Sequence, residues 1–182
     1  MKKLFLTSFM LIAVVVAFGQ YKLDGNLSNI YIDGTSTLHD WTSTVEQMSG
    51  TMNVEEADGS LSKIRSINVT IPVKSIKSGK SGMDKNTYNA LDEDNHPTIT
   101  YKLKTYSIGE DRLVLNGEMT IAGTTKMVKI STPYEMKGDV IEIEGKHSMK
   151  MTDFNVDPPT AVMGTIKTGD EVVVRFNLVF KA

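Results

Sequence analysis

The sequence of 182 residues has no cysteine, one tryptophan and five prolines. Without cysteine it has no disulfide, no thiolate metal site, no thiol nucleophile and no lipidated N-terminal cysteine. Its charge is nearly balanced, with 20 Lys and Arg against 22 Asp and Glu, so it has no large basic surface for nucleic acid. The hydrophobic and charged fractions, 40% and 23%, are ordinary for one globular domain and exclude a disordered chain.

The only long apolar run lies at the N-terminus. Lys2 and Lys3 precede a run from Leu4 to Phe18, and Ala17 and Gly19 are small residues suited to a signal-peptidase site. We therefore predict a cleavable signal peptide over 1–19 and one domain over 20–182, with an uncleaved anchor as the alternative. Export without disulfides favours a periplasmic or secreted bacterial protein.

Beyond residue 20 the hydrophobic pattern has a period of two, which is typical of strands with one dry face and one wet face. The alternating runs include Ile67 to Val73, Ile99 to Leu103, Leu113 to Ile121, Val128 to Tyr134, Ile141 to Ile143 and Val172 to Phe180. The pattern predicts an all-β chain.

Short turns separate these runs, at Gly109-Glu110-Asp111, Ala122-Gly123 and Lys137-Gly138-Asp139. They predict four consecutive antiparallel strands from Thr98 to about Ser148. We expect further strands near 27–33, 41–54, 61–73 and 170–181, which makes about eight. The apolar phase changes near Gln47, which predicts a bulge there, and Asn116-Gly117 predicts a second bulge or bend.

One segment departs from the strand pattern. Ser81 to Asp84 has the spacing of a capping box, and Met83, Tyr88 and Leu91 would share one face of a short helix near residues 82–92. This helix could be a lid over a barrel opening or a connector packed on its rim.

Eight antiparallel strands can close into a barrel, which removes exposed edges. A barrel of that size is filled by side chains or holds one small ligand. The alternation alone leaves both alternatives open.

Four segments in order resemble the YceI-like lipid-binding (polyisoprenoid-binding) family. They are Gly34 to Trp41 (GTSTLHDW), Ser81 to Tyr101 (SGMDKNTYNALDEDNHPTITY), Leu115 to Val128 (LNGEMTIAGTTKMV) and Met149 to Phe176, which begins MKMTDFN. Together they extend over nearly the whole chain after residue 20.

The resemblance implies an eight-stranded antiparallel lipocalin-like barrel whose tunnel binds a long isoprenoid or fatty amphiphile in the periplasm. It does not imply catalysis. We expect no enzyme activity and, apart from a bound lipid of the isoprenoid quinone or polyprenyl type, no cofactor. Other branches have Arg-x-Asp-Phe-Gly where this chain has Met151 to Asn155, so an arginine able to hold an anionic head group is absent from that element.

We expect the inward strand positions to line the tunnel. They are Trp41, Val69, Ile71, Ile99, Tyr101, Leu103, Leu113, Leu115, Met119, Val128, Ile130, Ile141, Ile143, Met151, Phe154, Val174, Phe176 and Leu178. The candidates for the tunnel mouth or a lipid head group are His39, Asp40, Tyr88 and His96. For His39 and Asp40, hydrogen bonds to loop backbone are the structural alternative, in which Trp41 plugs the barrel end.

The three histidines lack metal-ligand spacing, and the chain lacks the Gly-x-Ser-x-Gly and phosphate-loop patterns. Two other functions remain as alternatives: a small outer-membrane barrel, and a hydrolase-like enzyme that uses His39 with Asp40 on a hydrophobic substrate. The expected partner is a long-chain lipid, and transient contact with a membrane surface is left open. The oligomeric state is also left open, and a dimer is one of the alternatives.

Overall fold

The structure is a computed structural model that describes residues 16–161 and 163–182, most of them in β-strands. The strands are β1 (Val16–Leu23), β2 (Asn29–Ser36), β3 (Trp41–Val45), β4 (Ser49–Ala57), β5 (Ser60–Pro72), β6 (Ile76–Lys77), β7 (Thr98–Ile108), β8 (Arg112–Ile121), β9 (Thr124–Lys137), β10 (Val140–Lys150), β11 (Thr160–Ala161) and β12 (Ile166–Lys181). One α-helix, α1 (Ser81–Ala90), and 3-10 helices at Val73–Ser75 and Met151–Phe154 complete the regular structure of the described residues. Within these residues, no helix has the length and apolar character needed to span a bilayer.

Eight antiparallel strands close into a barrel. Their order is β1, β4, β5, β7, β8, β9, β10 and β12, and β12 returns to β1 through the pairs Lys22↔Lys181 and Leu23↔Phe180. The strands β7 to β10 form the antiparallel meander expected from their turns, with tight turns at Ala122-Gly123 and near Gly138. The predicted all-β barrel with a short helix is therefore confirmed.

A second group of strands extends the wall at one end, which we call the upper end. The last strand, β12, pairs with β1 only at residues 180 and 181, and along 168–177 its free edge pairs with β2. β2 then pairs with β3, and β3 with β6. The wall of the upper end thus contains β2, β3 and β6 in addition to strands of the eight-stranded barrel.

The predicted strand over 41–54 is two strands rather than one strand with a bulge. β3 pairs with β2 and β6, whereas β4 pairs with β1 and β5. The 3-10 helix Val73–Ser75 holds the connection between β3 and β4. The Ser75 carbonyl oxygen accepts a hydrogen bond from the Glu46 N–H, and the Ser75 hydroxyl donates one to the Gln47 carbonyl. The change of apolar phase near Gln47 therefore marks the point where the chain leaves one pairing for another.

The predicted capping box at the start of α1 is also wrong. The N-cap is Lys80, whose side chain makes no capping bond, and the Asp84 carboxylate instead accepts hydrogen bonds from the Ser78 N–H and hydroxyl. At Asn116-Gly117 the pairing is irregular as expected. The extra residue, however, is Lys104 on the partner strand β7.

The lower end of the barrel is packed. Six side chains that are at most 1% exposed fill it, and we call them the barrel floor: Tyr21, Met52, Val54, Leu113, Ile141 and Phe180. Each Leu, Ile or Phe that is fully buried stabilises the fold by about 1.5–3 kcal/mol relative to an exposed side chain. The floor closes the barrel below, so any opening to the interior lies at the upper end.

Candidate functional site

The upper half of the barrel encloses a cavity of about 870 Å³, which we call the outer chamber. Its walls come from the strands of the upper end, from one face of α1, from the 3-10 helix Met151–Phe154 and from the segment 156–168. A volume of this size lies within the range of cavities that enclose a small molecule. The interior therefore contains open space as well as a packed floor.

A second, smaller cavity of about 110 Å³, the inner chamber, lies between the outer chamber and the floor. Five side chains line both chambers, so the two adjoin: Ile30, Ile71, Ile99, Met119 and Val174. All five are hydrocarbon or thioether side chains, and none offers a ligand a strong hydrogen-bonding group. The shared wall makes an apolar path from the upper end down to the floor.

Most of the predicted tunnel residues lie on this path. The outer chamber is lined by Trp41, Ile71, Ile99, Met119, Met151, Phe154 and Val174, and the inner chamber adds Val69, Tyr101, Leu115, Ile130, Ile143, Phe176 and Leu178. Four others line neither chamber. Leu113 and Ile141 belong to the floor, Leu103 packs against the floor cluster, and Val128 is buried beside Ile121 and Val156.

Trp41 lies along the chamber wall and does not plug it. Its indole N–H donates to the Thr35 carbonyl at 3.0 Å, and its ring covers Gly34. A Cβ atom on Gly34 would lie 2.2 Å from the ring, so glycine is required for this close approach. The ring is therefore held flat against β2, and the chamber in front of it stays open.

Of the four head-group candidates, only His39 lines the outer chamber. Its ring Nδ1 lies 2.7 Å from the Asp40 carbonyl oxygen, and both residues are exposed. Tyr88 points to the other side of α1, where its hydroxyl accepts from Lys77 at 2.7 Å and fixes the helix to β6. The His96 ring lies against Gly123, and its Nε2 is 3.7 Å from the Asp92 Oδ2. The structure does not bring these four residues together.

The rim of the outer chamber carries positive charge. Three exposed lysines line it together with His39, and neither chamber has an acidic residue among its described lining residues. The lysines are Lys80, Lys85 and Lys150. In the part of the chain that the structure describes, no group of three or more His, Asp or Glu side chains could hold a metal ion. The site therefore combines an apolar interior with a cationic opening.

Two apolar side chains project at the same opening. Leu38 is 66% exposed, and the Met163 side chain is fully exposed. The Leu38 loop is held by Ser36, whose hydroxyl donates to the His39 carbonyl and accepts the Leu38 and His39 N–H groups. It is joined to the Met163 segment by a hydrogen bond from the Thr37 N–H to the Lys167 carbonyl. The two side chains thus belong to one connected part of the rim.

The sequence pattern did not indicate several of these residues. The inner face of α1 contributes Met83, which was expected on an apolar helix face, and also Asn86, Thr87 and Ala90, which were not. Tyr88 was expected on the face of Met83 and Leu91, but it points to the other side of the helix, so this part of the prediction is wrong. The hydrophobic residues of the segment 156–166 follow no regular period. Its lining residues could not be found from the sequence, and neither could the three rim lysines.

Comparisons with known proteins agree with this architecture. A model of the YceI-like domain matches residues 21–180. Protein YceI of Shigella flexneri is 27% identical over 165 residues, which cover 82% of each chain. Protein YceI of Salmonella arizonae is 27% identical over 153 residues, which cover 75% of this chain and 76% of the relative.

Solved structures share the fold at low sequence identity. BcnA of Burkholderia cenocepacia superposes with a TM-score of 0.73 at 19% identity, over 86% of this chain and 98% of that one. A polyisoprenoid-binding domain of Saccharophagus degradans, implicated in plant cell wall breakdown, gives a TM-score of 0.70 at 14% identity, over 89% and 98%. The YceI protein of Campylobacter jejuni gives 0.64 at 16% identity, over 77% and 84%.

Proposed function

Because the chain belongs to the YceI-like domain family, we propose that it binds a long isoprenoid-type lipid or a comparable fatty amphiphile inside the barrel. The observation that carries this proposal is the apolar outer chamber of about 870 Å³, which adjoins the inner chamber. The polyisoprenoid-binding domain of similar fold supports the same ligand class. An isoprenoid quinone or a polyprenyl lipid has the apolar character that the lining of the two chambers accepts.

The hydrophobic effect is large enough to retain such a ligand. Burial of one methylene contributes about 0.8 kcal/mol, so a chain of about fifteen carbons gains on the order of 12 kcal/mol before costs. Ordering the chain and restricting its motion remove several kcal/mol of this gain. The remainder is sufficient for a carrier that takes up its lipid and later releases it.

Fluorescence of the single tryptophan provides the test of binding. Trp41 lines the outer chamber, so geranylgeraniol entering the delipidated protein is expected to change its emission in a saturable way. The Trp41→Phe variant shows which part of the signal comes from this residue. If the emission and the melting temperature stay unchanged throughout the titration, the proposed function is wrong.

The arrangement of the site favours binding over catalysis. The His39 ring nitrogen lies against a main-chain carbonyl, and an acid–base pair with Asp40 would require the Asp40 carboxylate instead. The strands also direct their apolar residues into the barrel, while Lys102, Lys126 and Lys129 on their outer faces are exposed. A barrel in the outer membrane carries its apolar band on the outside. We therefore prefer the carrier to both alternative functions.

We place the protein in the periplasm or outside the cell. The basis is the predicted signal peptide, of which residues 1–15 lie outside the described residues. Cleavage after Gly19 would remove the pairs that Val16 to Gly19 make with β4. The pairs of Lys22 and Leu23 with β12, which close the barrel, would remain. The mass of the exported protein tests this placement, because it should correspond to a chain that begins at Gln20.

The rim is suited to contact with an anionic membrane surface. Leu38 and Met163 would enter the interfacial layer while the nearby lysines face anionic head groups, and each such lysine contributes about 1 kcal/mol. A carrier that docks with its opening against the bilayer can take up a lipid without exposing the chain to water. This contact also agrees with the absence of acidic residues from the described lining of the outer chamber.

Cosedimentation with phosphatidylglycerol vesicles measures the contact. We expect the double variant Leu38→Asp, Met163→Asp to bind these vesicles at least about tenfold more weakly than the unaltered protein, since it loses two apolar contacts and adds two repelling charges. The matched control is Leu27→Asp, Met127→Asp, because both residues are exposed and line neither chamber. Equal loss in the two double variants would show that the rim has no special role.

A further inference from the structure

Tyr101 carries a hydroxyl group that is buried inside the barrel and makes no hydrogen bond with any described residue. Its neighbours on the chamber wall offer little to pair with it. Apart from Tyr101 itself and Thr100, the lining of the inner chamber is entirely apolar. Thr100 precedes Tyr101 on the same strand, so its side chain points to the opposite face of the sheet. A buried donor without an acceptor is unfavourable, and its presence calls for an explanation.

The position of this hydroxyl depends on a glycine of the neighbouring strand. The Tyr101 ring lies over Gly117 of β8, and a Cβ atom there would approach the ring carbon Cζ and the hydroxyl oxygen to 2.4 and 2.6 Å. Any other residue at 117 would displace the phenol. The irregular pairing opposite Gly117 belongs to the same place in the sheet. The backbone is thus shaped to accept the phenol group at this point of the wall.

Tyr101 lines the inner chamber, and its hydroxyl lies over Gly117, between Leu115 of the inner chamber and Met119, which lines both chambers. Tyr101 pairs with Met119, which lines both chambers, and it packs against the floor cluster and against the cluster of Ile121, Val128, Phe154 and Val156. A ligand that extends from the outer chamber into the inner chamber therefore lies against the Tyr101 side chain. None of the described lysines, arginines and histidines lines the inner chamber.

We propose that the Tyr101 hydroxyl donates a hydrogen bond to a neutral oxygen of the bound lipid, which enters oxygen end first and leaves its hydrocarbon tail in the outer chamber. This inference rests on the proposed function and specifies its ligand class: an isoprenoid alcohol or quinone, not a lipid phosphate or carboxylate. An anionic head group at this depth would lose its hydration without gaining a counter-charge. Burial raises the pKa of Tyr101 to about 12, so the phenol keeps its proton and remains a donor.

Farnesol and farnesene, an isoprenoid alcohol and a hydrocarbon of the same length, test the hydrogen bond. We expect delipidated protein to bind farnesol more tightly than farnesene. In Tyr101→Phe the affinity for farnesol should fall about tenfold, the effect of one buried hydrogen bond, while the affinity for farnesene stays the same. Equal changes for both ligands, or no change for either, would overturn the assignment.

Thermal unfolding of the delipidated protein supplies a second readout. If the hydroxyl has no partner until lipid binds, Tyr101→Phe removes an unfavourable group and should raise the melting temperature. The control is Tyr21→Phe, which should lower it, because the Tyr21 hydroxyl donates to Glu56 at 2.7 Å. A lower melting temperature for Tyr101→Phe would mean that the hydroxyl has a structural partner, and the inference would be wrong.

These experiments separate the inference from the function on which it rests. If the unaltered protein binds neither farnesol nor farnesene, the proposed lipid carrier fails, and the role of Tyr101 fails with it. If the protein binds both, but Tyr101→Phe changes the two affinities equally or leaves both unchanged, the carrier stands and only the role of Tyr101 is lost.

Discussion

Replacing Val174 with tryptophan is expected to weaken binding of geranylgeraniol strongly while the protein stays folded. Val174 lies on β12 and lines both chambers, so an indole at this position fills the place where they adjoin. The affinity should fall at least about tenfold, because the chain can no longer occupy both chambers. Overpacking a filled core usually costs about 1–3 kcal/mol. Because the indole of Val174→Trp enters existing space, the loss of stability should not exceed this range.

Two matched variants show whether the effect comes from blocking the path. Val173→Trp adds the same ring to the opposite face of β12, since adjacent strand residues point to opposite sides, and should bind geranylgeraniol normally. Leu115→Trp fills only the inner chamber, so its effect should lie between those of the other two variants. If Val174→Trp and Val173→Trp bind the lipid equally well, the ligand does not occupy the chambers described above.

Truncation of Leu113 to alanine should produce the largest loss of stability. This side chain is fully buried in the barrel floor and lines neither chamber. Its truncation removes buried methyl groups and leaves a cavity, which costs about 2–5 kcal/mol. Urea unfolding of the delipidated protein measures this change, and the melting temperature should fall by about 10 °C for a chain of this size.

The matched control is Leu178→Ala, which makes the same chemical change beside existing empty space. Leu178 is only partly buried and lines the inner chamber. Since fewer atoms pack around it, its truncation should cost clearly less than that of Leu113. Equal losses for the two variants would indicate that the inner chamber is packed as tightly as the floor and leaves no room for a ligand.

The direction in which the strand residues point could be predicted from the sequence, because a period of two determines which residues share a face. Val174 and Ile99 were expected to face the interior, and they line the chambers. Whether the interior is filled could not be predicted. Leu113 shows the same alternation as Leu115, yet the first lies in the packed floor and the second on the inner chamber. The difference depends on position along the barrel axis, which alternation does not encode.

The contacts that shape the site arise between segments far apart in the sequence. The contact of the Tyr101 ring with Gly117 requires the observed register of β7 and β8. At the rim, the Leu38 loop is hydrogen-bonded to the segment that follows Met163. The resemblance to a family indicated the barrel and its ligand class. It did not indicate the three rim lysines, because they lie in α1, just before it and at the end of β10, outside the apolar pattern of the strands.

Native mass spectrometry of the protein purified from its own host, without detergent, tests the central claim most directly. If an isoprenoid-type lipid occupies the barrel, a fraction of the protein should carry one bound molecule of lipid mass. Solvent extraction should recover that molecule, and Val174→Trp prepared in parallel should lack it. If every preparation contains only the bare polypeptide, and the delipidated protein takes up no isoprenoid alcohol or quinone, then the chambers are not a lipid site.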